Sequence, residues 1–117
     1  IRASSKVQHV IGISVLKNNF ELQEKVKALL HQEQNFQLHH DYHFGGYAKY
    51  NNELIRFMNE WYRRSNIPSD FVYTGKLFFA IYDLINKNYF PSGSRLLIIH
   101  SGGLQGNASL PKGTLIF

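Results

Sequence analysis

The chain of 117 residues contains no cysteine. This excludes a disulfide framework and any zinc site built on thiolates, and it agrees with the reducing cytoplasmic compartment as its expected location. It has no apolar run of about 18 residues, the length a membrane-spanning helix needs. Its opening, Ile1-Arg-Ala-Ser-Ser-Lys6, lacks the basic-then-apolar layout of a signal peptide, so no membrane association is expected. Acidic residues are few, eight Asp and Glu against thirteen Lys and Arg, a formal charge of +5. The basic residues are scattered rather than gathered in a stripe, so no nucleic-acid partner is expected. No internal repeat or low-complexity tract is present.

What the chain does have is 44% apolar residues, with nine Phe, seven Tyr and one Trp. That is ample surface to bury against the entropy of ordering, so one ordered domain without an internal boundary is expected over residues 1–117. The chain opens on Ile rather than Met and soon enters a strand pattern, from which a fragment of a longer protein is expected.

Val7–Leu16 mixes β-branched residues with a central glycine and reads as a buried strand. Asn18 offers a helix cap, and Leu22, Val26, Leu29 and Leu30 recur at helical spacing toward Asn35. Phe36–Phe44 begins with strand-like alternation and ends at Gly45-Gly46. From Asn51, residues Leu54, Ile55, Met58 and Trp61 keep helical spacing until Asn66-Ile-Pro68 stops it. A third helix is predicted from about Thr74 to Tyr89, closed by Pro91-Ser-Gly93. Arg95–Ile99 then reads as a buried strand emptying into the Ser101-Gly-Gly103 loop, and Leu115–Phe117 as a short strand or hydrophobic plug. This order predicts an α/β fold, a parallel sheet with flanking helices, with ligands collecting at the carboxyl ends of strands.

The polar residues at element boundaries admit several chemistries. His39, Asp41 and His43 fall on one side of a strand, as metal ligands could, although a solvated strand end has the same pattern. Gly75-Lys76 resembles the end of a phosphate-binding loop, but Leu77 stands where Ser or Thr is needed and no glycine precedes at the right distance. Tyr47, Tyr50 and Tyr73 lie beside Gly46 and Gly75, where little side-chain bulk blocks a ligand; ordinary half-buried aromatics fit the same spacing. Thr74 and Ser101 read equally as ligand contacts or as caps, and His100 as a core histidine bonded to a carbonyl.

Taken together, Gly45-Gly-Tyr47, Asp70-Phe-Val-Tyr-Thr-Gly-Lys76, Tyr89-Phe-Pro-Ser-Gly-Ser94 and His100-Ser-Gly-Gly-Leu-Gln-Gly106 resemble the C-terminal part of a family of enzymes dependent on pyridoxal 5'-phosphate, the 1-aminocyclopropane-1-carboxylate deaminases and D-cysteine desulfhydrases. The resemblance implies the type II pyridoxal-phosphate fold of the tryptophan synthase β subunit, with this chain a C-terminal fragment of the large cofactor-binding domain. It implies a small amino acid as substrate, the N-terminal remainder of the same enzyme as partner, and allows a homodimer. The lysine that binds the cofactor aldehyde and the glycine-rich phosphate loop have no match here, so the fragment alone is expected to be inactive.

By resemblance, Tyr47 and Tyr73 match family tyrosines near the substrate, and Thr74, Ser101 and Gly102 lie on the cofactor side. Where the deaminase typically has a glutamate facing the pyridine nitrogen, this sequence has Thr74. A hydroxyl stabilises a protonated ring less than a carboxylate does. That departure favours a D-cysteine desulfhydrase, releasing pyruvate, sulfide and ammonia, over the alternative, a deaminase giving 2-oxobutyrate and ammonia. A non-catalytic module binding a small anion at the glycine loop is the reading from another class.

Overall fold

The computed structural model describes residues 9–29 and 36–117. Strand β1 (Val10–Ile13) and strand β2 (Phe36–His39) pair in parallel, with Val10 opposite Phe36 and Ile13 opposite His39. Helix α1 (Leu22–Leu29) lies in the connection between them, as a parallel pair requires a crossover rather than a tight turn. The predicted ends of this unit, Val7, Gln8 and residues 30–35, lie outside the described residues. Asn18 is not the helix cap expected of it: it takes a left-handed φ of 58° inside the turn that precedes α1. The second strand is shorter than predicted, because residues 40–46 turn instead of continuing the ladder.

Helix α2 (Asn52–Ser65) starts where Asn51 accepts the amide of Leu54 on its side-chain oxygen, at 2.9 Å, and ends at Asn66, whose φ of 61° breaks the helix before Pro68. Helix α3 (Thr74–Asn86) packs against it. The seam is aromatic: Trp61 of α2 stacks on Phe78 of α3 at 5.3 Å between ring centroids, and Phe57 meets Phe79 edge-on at 5.3 Å. Leu54 and Met58 are fully buried there with Phe71 and Val72. The chain end closes this core, with Leu115 and Phe117 packed on it and Phe117 against Tyr62, so the hydrophobic plug is observed and the alternative short strand is not. A second core joins Tyr42, Ala80 and Leu84, with Ile13 of β1 packed against it, and so ties the sheet to α3.

The predicted strand Arg95–Ile99 is not one in this structure. The segment carries no regular secondary structure, and Leu97 and Ile99 are 91% and 72% exposed. A buried strand needs hydrogen-bonded neighbours, and among the described residues the sheet consists of β1 and β2 alone. The α/β class with a parallel sheet and flanking helices stands.

Candidate functional site

The site grows from the turn that starts α3. Asp70 is fully buried, and its carboxylate accepts the amides of Val72, Tyr73 and Thr74 at 2.9, 2.7 and 2.9 Å. A carboxylate suits the amide-rich start of a helix, where the first N–H groups lack partners and the helix dipole favours negative charge. Thr74 answers it: its hydroxyl donates to Asp70 at 2.6 Å and accepts the Asp70 amide at 2.8 Å. Gly75 completes the turn by having no side chain, since a Cβ there would lie 2.6 Å from the Asp70 carbonyl oxygen and 2.9 Å from the Met58 sulfur.

This locked turn carries Tyr73 outward, and the residues after β2 bring Tyr47 to meet it. Their hydroxyls are 3.0 Å apart and their rings meet edge-on at 6.0 Å, with both side chains about half exposed. The shared hydrogen bond to Tyr47 pushes the Tyr73 phenol above its ordinary range. The turn bearing Tyr47 is held from below. Lys76, fully buried on α3, donates to the carbonyl oxygens of His43 and Gly46 at 2.7 and 3.0 Å. Burial pushes the Lys76 ammonium down to about 8.

The third strip, His100–Asn107, docks on the residues that lead into the turn. Asn107 donates to the Ser69 carbonyl at 2.9 Å and accepts the Phe71 amide at 3.1 Å. His100 Nε2 bonds the Pro68 carbonyl at 2.8 Å while Nδ1 accepts the Gly102 amide at 3.0 Å, which fixes the neutral tautomer with its proton on Nε2. The expectation of a carbonyl-bonded His100 holds, on an exposed rather than a core residue. Gly102 and Gly103 both take left-handed backbone, and Gly103 runs so close to Asp70 that a Cβ would lie 3.2 Å from its carboxylate oxygen.

The structure therefore unites Tyr47 with Tyr73 at one exposed spot, and brings the Ser101-Gly102 strip onto the residues beside it. Ser101 is exposed, and among the described residues its hydroxyl makes no hydrogen bond. Thr74 differs: at 1% exposure, with its hydroxyl donating and accepting against Asp70, it is built into the turn. His39 at the end of β2, with Asp41 and His43 beyond it, does not build a ligand set. His39 packs edge-on against Tyr89, His43 Nδ1 accepts the Gly45 amide at 3.0 Å, and among the described residues no three His, Cys, Asp or Glu converge as ligands.

Three structural residues escaped the reading of the sequence. Asp70, just ahead of the apolar helix pattern, carried the usual signal of an N-terminal cap. Asn107 had no local signal, because its partners lie 36 and 38 residues away. Lys76 stands out in the sequence as the end of a rejected phosphate-loop pattern, and nothing local points to its carbonyl partners 30 and 33 residues away.

No protein-family model matches the chain. A Pyrococcus abyssi protein named "Putative 1-aminocyclopropane-1-carboxylate deaminase" is 32% identical over 106 residues, covering 83% of this chain and 32% of that protein. A Pyrococcus horikoshii protein of the same name is 39% identical over 67 residues, 57% of this chain and 20% of its own length. A crystal structure described as that of an ACC deaminase homologue superposes with a TM-score of 0.68 at 28% identity, over 83% of this chain and 32% of the other. The chain thus spans about a third of the length of the P. abyssi relative. Among the described residues no helix is long and apolar enough to cross a membrane. In sequence and in fold the chain is similar to about a third of the length of proteins named as 1-aminocyclopropane-1-carboxylate deaminases or their homologues, and is consistent with a fragment of that family.

Proposed function

We propose that this chain forms the substrate-side wall of an enzyme dependent on pyridoxal 5'-phosphate that deaminates a small amino acid, with 1-aminocyclopropane-1-carboxylate as the substrate its relatives' names favour. The observation that carries the reading is the 3.0 Å contact between Tyr47 and Tyr73. Two phenols in one hydrogen bond have one proton committed to each other and one left to offer outward. With its phenol raised by the bond to Tyr47, Tyr73 keeps its proton and serves as a proton donor beside a substrate that gains and loses protons at carbon.

The donor set fits the cofactor on its ring side. Ser101 is exposed and its hydroxyl would be available to hold the pyridine nitrogen, with Gly102 adding no bulk beside it. The hydroxyl of Thr74 is occupied by Asp70, so Thr74 supports the turn from which Tyr73 projects, and the contact with the ring falls to Ser101. When bound, the cofactor supplies the electron sink that makes a carbon next to the amine acidic. The aldehyde-binding lysine belongs to the rest of the protein in this proposal; Lys76 is buried beneath the turn and is not presented to a ligand.

One observation favours the second reading, a D-cysteine desulfhydrase. The carboxylate of the turn that carries Tyr73, Asp70, is fully buried and spends its oxygens on three amides and a hydroxyl. A ring nitrogen held by a hydroxyl is a weaker sink, which suits departure of a thiol better than opening of a carbon ring. The names of the relatives favour the deaminase, and that is the reading preferred here. The test is Tyr73→Phe in the protein at its natural length: turnover should fall about 10²-fold or more while bound pyridoxal phosphate stays unchanged. Equal turnover would remove Tyr73 from the chemistry.

A further inference from the structure

We infer that Lys76 is a positioning residue, whose ammonium, by binding the carbonyl oxygens of His43 and Gly46, holds the turn that presents Tyr47 to Tyr73. Both ends of this arrangement belong to the start of one helix. Tyr73 is exposed at the first turn of α3, and Lys76, three residues on, is buried with its ammonium under the residues that precede Tyr47.

That turn is not held by a ladder. Phe44, Gly45 and Gly46 have φ of 56°, 101° and 130°, three successive residues outside the ordinary helical and strand regions. Its own bonds are local: Gly46 to the His43 carbonyl at 3.2 Å, Lys49 to the Gly46 carbonyl at 3.0 Å, and Gly45 to the His43 ring. Lys76 adds a second donor to each of the same two carbonyls and joins the turn to α3. A leucine or methionine would pack at this position without the cost of desolvating a charge, so the cost must be set against what the ammonium holds. It holds the residue immediately before Tyr47.

The inference rests on the reading of Tyr47 and Tyr73 as a working pair, and two separate measurements keep the failures apart. In the protein at its natural length, carrying isotope-labelled tyrosine, a cross-peak between the rings of Tyr47 and Tyr73 reports their contact directly at neutral pH. It should vanish in Lys76→Met, weaken in Lys76→Gln, whose donor is one atom shorter, and survive in Lys76→Arg. Cross-peaks between Trp61 and Phe78, stacked across the helix seam, should remain in every folded variant. If Lys76 only stabilised the fold, the folded fraction would keep the tyrosine contact. A full-strength cross-peak in folded Lys76→Met, or in Lys76→Gln should the methionine variant not fold, overturns the inference. Turnover should fall with the cross-peak, by about 10²-fold with KM little changed, as misplacement near 1 Å does. Loss of the cross-peak with unchanged turnover supports the positioning role and sinks the catalytic reading of the pair.

Discussion

Tyr47 and Tyr73 stand 26 residues apart in the chain and meet hydroxyl to hydroxyl at 3.0 Å. Neither belongs to the regular part of a strand or helix. One follows a glycine turn and the other sits at the lip of α3, so the contact depends on two turns being held in register. Replacing either phenol by Phe should lower turnover by about 10²-fold, and the double replacement should cost much less than the product of the two. Steady-state kinetics on the two single variants and the double variant checks this; a multiplicative loss would mean that the two hydroxyls act independently.

Gly75 is required by space rather than by an unusual φ. A Gly75→Ala methyl would press on the Asp70 carbonyl and the Met58 sulfur, and the first of these is backbone that cannot step aside. Such overpacking should destabilise the protein by about 1–3 kcal/mol, read as a lowered urea midpoint. A midpoint equal to that of the unsubstituted protein would show that the turn is looser than its geometry.

Two buried groups give stability a signed dependence on alkaline pH. Lys76 falls from 10.5 to about 8 because burial disfavours its charge, so between these values the unfolded chain holds the proton that the folded one has released. Its contribution to stability therefore rises from about pH 8 toward 10.5. Tyr42 runs the other way. Burial, with its bond to Asp83 at 2.7 Å, raises it from 10.0 to about 12, so the folded state keeps a proton the unfolded chain loses, and stability falls between those values. Denaturant midpoints across pH 7–12 should show the first slope absent in Lys76→Met and the second absent in Tyr42→Phe. The same profile in all three proteins would contradict both assignments.

Asn107 is a clasp between two distant strips. Asn107→Ala removes its bonds to the Ser69 carbonyl and the Phe71 amide, for about 1–3 kcal/mol, and should free the Ser101-Gly102 strip. Hydrogen exchange should quicken at the Phe71 amide while α2 keeps its protection. Unchanged exchange at Phe71 would mean that His100 alone holds the strip.

The helices and the parallel pair were legible because their signals are local. Asn51, Asn66 and Pro68 bracket α2 with side-chain and backbone chemistry that operates within a few residues. Arg95–Ile99 departs from the strand its sequence predicts because an apolar run states a preference for burial without supplying the neighbouring strands that satisfy it, and Leu97 is 91% exposed. The site divides in the same way. Tyr47 and Tyr73 stand out by their motifs, but no spacing rule joins them; Lys76 ties the turn before Tyr47 to α3 through bonds spanning 30 and 33 residues, and Asn107 docks the Ser101-Gly102 strip through bonds spanning 36 and 38. Thr74 shows the limit of a motif position: its place suggested the ring, and its hydroxyl is bonded to Asp70. A Thr74→Glu change would therefore force a larger charged group into a 1% exposed position before it could tune any ring.

The most direct measurement is product release by the protein at its natural length, with added pyridoxal phosphate, from 1-aminocyclopropane-1-carboxylate and from D-cysteine in parallel. One 2-oxobutyrate and one ammonia are expected for each cyclopropane acid and water consumed, with release abolished or strongly reduced in Tyr73→Phe. Pyruvate and sulfide from D-cysteine, with no 2-oxobutyrate, would contradict the deaminase and establish the second reading. No product from either substrate would contradict both.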